Sequence, residues 1–300
     1  MSVLLVIPAR YASTRYPGKP LVTLTGATGE RKTLIERAWM AAQSVAGVDR
    51  IVVATDDRRI EQAAQGFGAE VVMTSTECLN GTERCAETVE QLPVDYDIVV
   101  NLQGDAPLTP AWFIEDLITG LRADPAADIA TPVLRCDGET LNTLVQDRKA
   151  GRVGGTTAVF QAQGHALYFS KEVLPFTTET YSKEAKTPVF HHVGVYAYRP
   201  PTLQAYPGWQ IGPLETLEGL EQLRFLEQGR RVLCVEVEAR SRQFWELNNP
   251  QDVARIEAMM LHMDCLLYTS PSPRDKRQSR MAGWGCKKRG GGGGGGGGGG

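Results

Sequence analysis

An α/β fold, with a mostly parallel sheet flanked by helices on both faces, is predicted by three observations. Short runs of β-branched and aliphatic residues recur through the first half of the chain. These runs are apolar throughout, as strands buried on both faces must be. Between them lie amphipathic segments with apolar spacings of three and four, long enough for the crossovers that parallel strands require.

In order, VLLVI (3–7) reads as the first buried strand and TLIERAWMAAQSVA (33–46) as the first helix. RIVVAT (50–55) is a strand followed by a short helix from Asp57; EVVMT (70–74) is a strand, TERCAETVEQL (82–92) a helix and DIVVNLQ (97–103) a strand. PAWFIEDLITGLR (110–122) opens with proline, whose missing N–H costs nothing at a helix start, and DIATPV (128–133) is strand again.

The second half changes character. TTAVFQA, HALYFS and HHVGVYAYR are predicted strands joined by loops, which implies a mixed or antiparallel extension of the sheet. LETLEGLEQLRFLEQG (214–229) predicts one helix with Leu214, Leu217, Leu220, Leu223 and Leu226 on one side and Gly229 as its stop. RVLCVEVEA is a strand, and NPQDVARIEAMM a closing helix with Asn249 as cap and Pro250 first. The whole reads as one continuous Rossmann-like domain over residues 1–264.

Of 300 residues, 42% are hydrophobic and 22% charged, an ordinary composition for a globular chain with a core. The formal charge of −3 hides an asymmetry. Residues 265–300 carry seven Lys/Arg against one acid, leaving 25 cations and 34 anions in the body, a net of −9. An acidic body excludes a general nucleic-acid binder, which needs a basic face. Cys78, Cys85, Cys136 and Cys234 form no CxxC pair, a spacing expected of reduced cytosolic thiols rather than zinc ligands or disulfides. No signal peptide or apolar run near the ~20 residues of a membrane span is visible, so a cytoplasmic protein is expected. Residues 265–300 lack apolar periodicity and end in glycine from Gly290, so they are expected to be a disordered or artefactual tail; a basic interaction tail is the alternative.

VIPARYASTRYPGKPL (6–21) carries the most chemistry. It leaves the first strand at the carboxyl edge of the sheet, where open α/β folds bind ligands, and contains Arg10, Arg15 and Lys19 but no acid. Gly18 and the short residues Ala12, Ser13 and Thr14 let backbone N–H groups approach a phosphate, while arginine forks match its oxygens. It is neither a Walker A loop nor a GxGxxG turn; a solvated basic loop is the alternative to a phosphate cradle.

VVNLQGDAP (99–107) ends a second strand in Asp105, placed to ligate Mg²⁺ or to form an Asx turn before Pro107. In NGTER (80–84), Asn80-Gly81 reads as a turn and Thr82 as a helix cap, offering free N–H groups to a base or ribose, or simply a capped helix. Glu215 in PLETLE sits in a first helical turn, where the dipole alone favours a carboxylate.

These motifs, with ALYFSK, HHVGVYAYR and PLETLEGLEQLRFLEQG, stand in an order that resembles the 3-deoxy-manno-octulosonate cytidylyltransferases (CMP-Kdo synthetases) over roughly residues 3–262. The resemblance implies a nucleotide-diphospho-sugar transferase-like fold and transfer of CMP from CTP to a 3-deoxy-2-ulosonic acid such as Kdo, in lipopolysaccharide biosynthesis. It also implies Mg²⁺ and a homodimer formed through the second-half strands. Ala9, Arg10, Ser13, Arg15 and Lys19 fall on the family's triphosphate loop, with Arg10, Arg15, Lys19 and Asp105 as catalytic residues. Asn80, Gly81 and Thr82 fall on its cytidine turn; Gln103, His192, Tyr196, Glu215 and Gln222 near its sugar-acid pocket; Asp105 and Asn248 at its metal positions. Three departures stand out: Ala106 where the family has Glu, Asn248 where it has Asp, and Lys171 where arginine is common. They imply an altered acid, such as an 8-amino-Kdo or a sialic-type acid, or a weak or silent nucleotide-binding relative.

Overall fold

The computed structural model describes residues 2–13, 16–93, 95–105, 107–240, 247 and 249–269, with side chains up to Leu261. β1 (Val3–Ala9) enters the centre of the sheet, and β2 (Thr23–Thr25) and β3 (Arg31–Thr33) form a small hairpin apart from it. α1 (Leu34–Gln43) starts where Thr33 Oγ1 accepts the Glu36 N–H at 3.3 Å. β4 (Arg50–Thr55), α2 (Arg58–Gly66), β5 (Glu70–Met73), α3 (Gly81–Gln91), β6 (Ile98–Leu102) and α4 (Ala111–Ala123) continue the alternation. Then follow β7 (Ile129–Asp137), α5 (Gly138–Lys149), β8 (Thr157–Phe160), β9 (Ala166–Ser170), β10 (Lys186–His192) and β11 (Val195–Tyr198). α6 (Pro200–Ala205), α7 (Pro213–Glu218), α8 (Leu223–Glu227), β12 (Val232–Glu236) and α9 (Asp252–Thr269) complete the described elements.

The large sheet runs β5-β4-β1-β6-β11-β7-β10-β8-β9, with β12 also against β7. Its first four strands are parallel; β11 runs antiparallel between β6 and β7. The mixed extension therefore begins at β11. β1 accounts for the two layers, because successive side chains of a strand point to opposite faces. Val3, Leu5 and Ile7 pack with Ile35 and Ala38 of α1, Ile60 of α2 and Leu117 of α4. Leu4 and Val6 pack with Cys85, Ala86 and Val89 of α3, Leu203 of α6 and Phe225 of α8. Burying each aliphatic side chain contributes roughly 1.5–3 kcal/mol, so a strand apolar at every position is held from both sides.

Three expectations are corrected. The helix over 214–229 is broken: α7 ends at Gly219, which takes a left-handed φ of 61°, and α8 restarts at Leu223. Leu217, read as part of a buried stripe, is 82% exposed. HHVGVYAYR is two strands, because the chain turns tightly at Val193 and Gly194, where the Val195 N–H meets the Val193 carbonyl at 2.7 Å. β10 and β11 thus both pair with β7, at different parts of its length. α5 was not expected; its only fully buried aliphatics are Leu141 and Leu144, too few to mark a stripe, and Asp137 caps it.

Candidate active site

A cleft of about 810 Å³ opens where β1 and β6 end, lined also by the start of α3 and by the break between α7 and α8. Parallel pairing puts the carboxyl ends of β1 and β6 side by side, so the loops leaving them must meet. They do: Lys19 Nζ lies 2.6 Å from Asp105 Oδ2, both side chains mostly shielded from solvent. Gly18, at φ 70°, turns the chain into a single helical turn, Lys19–Leu21, which holds the base of the lysine. Gly104 packs so closely on β1 that a Cβ there would sit 3.0 Å from the Pro8 carbonyl oxygen.

Ala9, Arg10 and Ser13 also line the cleft. Arg10 is exposed and donates to the Leu79 carbonyl at 3.4 Å, which joins the cationic loop to the turn before α3. Arg15, Ala106 and Asn248 lie outside the described residues. Leu247, the chain neighbour of Asn248, donates its N–H to the Asp105 carbonyl at 3.0 Å.

Asn80 and Gly81 reach the cleft wall, but Thr82 does not. Asn80, not Thr82, caps α3, accepting the Glu83 N–H at 2.9 Å. Thr82 is buried, its hydroxyl 2.8 Å from Tyr198 Oη, and its N–H meets Glu221 at 3.3 Å. Gly81 is a close approach: a Cβ there would fall 2.8 Å from the Gln103 amide.

Gln103, His192, Tyr196 and Gln222 also line the cleft wall. Burial pushes the His192 imidazole down to about 3, so it stays neutral, sharing a 2.9 Å hydrogen bond between Nε2 and Thr131 Oγ1. Tyr196 Oη donates to Gln222 Oε1 at 3.1 Å. Gln222 is 2% exposed, and its Nε2 is buried with no partner among the described residues.

Glu215 is not part of that wall. Its carboxylate takes both Nε and Nη2 of Arg224, at 2.6 and 2.8 Å, while Nη1 of Arg224 reaches Glu83 at 3.0 Å. Arg224 is 1% exposed and stacks on Tyr206. A buried guanidinium must be paired, and Glu215 supplies the pairing. The acid facing the cleft is Glu221, which accepts from Gln103 Nε2 at 3.3 Å. Desolvation pushes its pKa up to about 7. Glu221 was missed because the segment was read as one unbroken helix, in which no residue opens onto a ligand cleft; Gly219, costly inside a helix, was the signal of the break.

Arg84 was also missed. It is 2% exposed, lines the cleft, donates to Asp56 at 2.9 Å and bonds Thr74. A cation in the first turn of a helix opposes the dipole and so demands a partner, which was a legible signal. Lys171 enters the cleft beside the break; a Cβ on Gly219 would lie 3.2 Å from its Nζ.

The donor set fits a magnesium ion. Mg²⁺ keeps several waters and takes one or two carboxylates plus substrate phosphates, and Asp105 offers one such carboxylate beside a lysine. Among the described residues no cluster of three or more His, Cys, Asp or Glu forms a protein-only cage, so phosphate oxygens would supply the rest.

A cytidylyltransferase family model matches residues 4–232. The 3-deoxy-manno-octulosonate cytidylyltransferase of Maricaulis maris is 45% identical over 260 residues, 87% of this chain and 97% of that protein. The chain belongs to this 3-deoxy-manno-octulosonate cytidylyltransferase family. The Zea mays member is 38% identical, covering 85% of this chain and 80% of that one. A solved CMP:2-keto-3-deoxy-manno-octonic acid synthetase complexed with CTP superposes with a TM-score of 0.74 at 34% identity, over 88% of this chain and 100% of that chain. A 4-diphosphocytidyl-2C-methyl-D-erythritol synthase from Anaerococcus prevotii, 12% identical with a TM-score of 0.52 over 86% of this chain and 97% of that one, shares the fold alone. Membership in the cytidylyltransferase family makes the chain a nucleotidyltransferase, and its mixed sheet carries the family's architecture.

Proposed function

We infer that this chain transfers CMP from CTP to the anomeric hydroxyl of 3-deoxy-manno-octulosonate or a close 3-deoxy-2-ulosonic acid, releasing pyrophosphate for lipopolysaccharide assembly. The observation that carries this reading is the meeting of Lys19 and Asp105 at the ends of two adjacent parallel strands. A cation and a hard oxygen ligand at one point are what a nucleotide's α-phosphate and its metal require.

In the reaction, the anomeric oxygen bonds to the α-phosphorus, the bond from that phosphorus to the bridging oxygen of the β-phosphate breaks, and the hydroxyl proton passes to solvent. Asp105 would hold Mg²⁺, with Asn248 as the second ligand the family pattern assigns. When bound, the ion neutralises charge gathering on the phosphate oxygens. Lys19, Arg10 and Arg15 bind the triphosphate; Ala9 and Ser13 line its path. Asn80 and Gly81 receive the cytidine, with Thr82 bracing the turn from behind. Gln103, His192, Tyr196, Glu221 and Gln222 take the sugar acid. Gln222 Nε2, without a partner among the described residues, is a donor suited to a substrate oxygen, and the neutral His192 presents no charge to the substrate. Lys171 gives a point charge for a carboxylate rather than an arginine's fork, a difference that tunes the choice of acid.

The protein is taken to be a cytoplasmic homodimer that binds neither nucleic acid nor membrane. Among the described residues no helix is long and apolar enough to cross a membrane. β9 ends the sheet order, with Leu167 on it 58% exposed and Phe176 beyond it 86% exposed, a surface suited to a second copy.

The test is direct. Enzyme, CTP, Mg²⁺ and Kdo should release pyrophosphate and form CMP-Kdo, with CTP preferred over UTP and GTP. Release with an 8-amino or sialic-type acid but not Kdo would reassign the substrate; CTP binding without turnover on any acid would overturn the catalytic reading.

A further inference from the structure

The cationic loop is fastened at its base by residues that carry no phosphate. Gly18 donates its N–H to the Tyr11 carbonyl at 2.9 Å, tying together the two ends of the loop. Arg10 immediately precedes one tied residue, and Lys19 immediately follows the other. The Tyr11 ring fills the space between. A Cβ on Gly18 would approach ring atoms Cε2 and Cζ and the hydroxyl oxygen to 3.1 Å, and the Arg59 guanidinium sits over the ring, 3.3 Å from its centroid.

Arg59 is itself held. Its Nε and Nη2 donate to the two carboxylate oxygens of Asp57, at 2.9 and 2.6 Å. Asp57 caps α2 through the Arg59 N–H at 2.9 Å, and its own N–H reaches Thr55 Oγ1 at 3.3 Å. Thr55 ends β4 and pairs with Ala9, the last residue of β1. The bidentate pair holds the Asp57 carboxyl below the usual carboxylate range. Arg59's charge is therefore engaged, which suits it to packing rather than to phosphate.

The geometry assigns Tyr11 and Arg59 as positioning residues: a cation–π clasp, anchored through Asp57 to the end of β4, that sets where Arg10 and Lys19 stand before CTP arrives. This deepens the function proposed above and rests on it. The stack needs an aromatic ring but not its hydroxyl, and a planar guanidinium that a flexible ammonium cannot replace. Loosening it lets the two cations drift, and misplacement by an ångström costs up to about a hundredfold.

The experiment compares the full chain with Arg59→Ala, Tyr11→Ala and Tyr11→Phe. Arg59 is 58% exposed, so its removal spares the core even where Tyr11→Ala does not. KM for CTP and for the sugar acid, kcat, the Kd of CTP with Mg²⁺ by calorimetry, the thermal midpoint and the rate of tryptic cleavage after Arg10 are read together. Expected for Arg59→Ala are a rise of about tenfold in KM and Kd for CTP, an unchanged KM for the acid, an unchanged melting temperature and faster cleavage. Tyr11→Phe should match the wild type. CTP constants and cleavage rates within twofold of wild type would overturn the clasp, as would an equal loss for both substrates with a lowered melting temperature. So would a Tyr11→Phe defect as large as that of Tyr11→Ala, which would make the hydroxyl a ligand contact. A wild-type chain that binds no CTP would defeat the nucleotide reading instead, and the cleavage rates alone would still decide the clasp.

Discussion

Lys19 Nζ and Asp105 Oδ2 meet at 2.6 Å across 86 residues of sequence. Adjacent parallel strands bring them together, and the two glycines beside them, Gly18 and Gly104, allow the backbone to come close enough. Replacing Lys19 by alanine should lower kcat by about a hundred- to a thousandfold, the scale of losing one preorganised charge at a reacting oxygen. Circular dichroism and the melting temperature should stay the same. A rate within threefold of wild type would remove Lys19 from the reaction.

Asp105→Asn keeps the shape of the turn and removes its charge. The Mg²⁺ concentration for half-maximal rate should rise by about tenfold or more, because a neutral amide is a poorer ligand for a hard cation. A magnesium titration that superimposes on the wild type would exclude Asp105 as ligand.

Glu221 makes a prediction with a sign. Its carboxyl is pushed from 4.5 to about 7 in the folded chain, chiefly by desolvation. Folding therefore favours the protonated form; the stabilisation is complete below about 4.5 and is lost as pH rises through about 7. Relative to Glu221→Gln, the wild type should lose on the order of 2–3 kcal/mol across that window, after allowance for partial solvent access. Urea denaturation of both proteins at pH 4.5 and pH 8 measures it. A constant difference between them would contradict the buried carboxyl.

Arg224→Met should be costly for stability and cheap for substrate binding before unfolding. It leaves Glu215 and Glu83 without their partner in a buried site, a loss of about 3–5 kcal/mol. Glu215→Gln should lower the melting temperature while leaving KM for the sugar acid unchanged. A raised KM with an unchanged melting temperature would return Glu215 to the substrate wall.

The parallel half of the sheet was legible because its strands are buried on both faces and so are apolar at every position, as β1 is, or at all but one, as in β6, where Asn101 is the exception. The cationic loop was legible because strand order places it at the carboxyl edge whatever the details of packing. The α7–α8 region was not. Five leucines at helical spacing masked a break that depends on one residue, Gly219, adopting a left-handed turn, and that break decides which acids face the cleft. Glu215 and Glu221 are near-equivalent in the sequence. Only the tertiary position of Arg224 separates an acid that pairs in the core from one that faces substrate. Thr82 illustrates the same limit, since its N-cap chemistry was sound but Asn80, two residues earlier, took the position.

A crystal soaked with CTP and Mg²⁺ tests the central claim most directly. The expected result is a triphosphate lying along the cleft with its α-phosphate within hydrogen-bonding reach of Lys19 Nζ and the metal bound to Asp105. Density for the triphosphate elsewhere on the protein, with Lys19 and Asp105 still paired to each other, would contradict it.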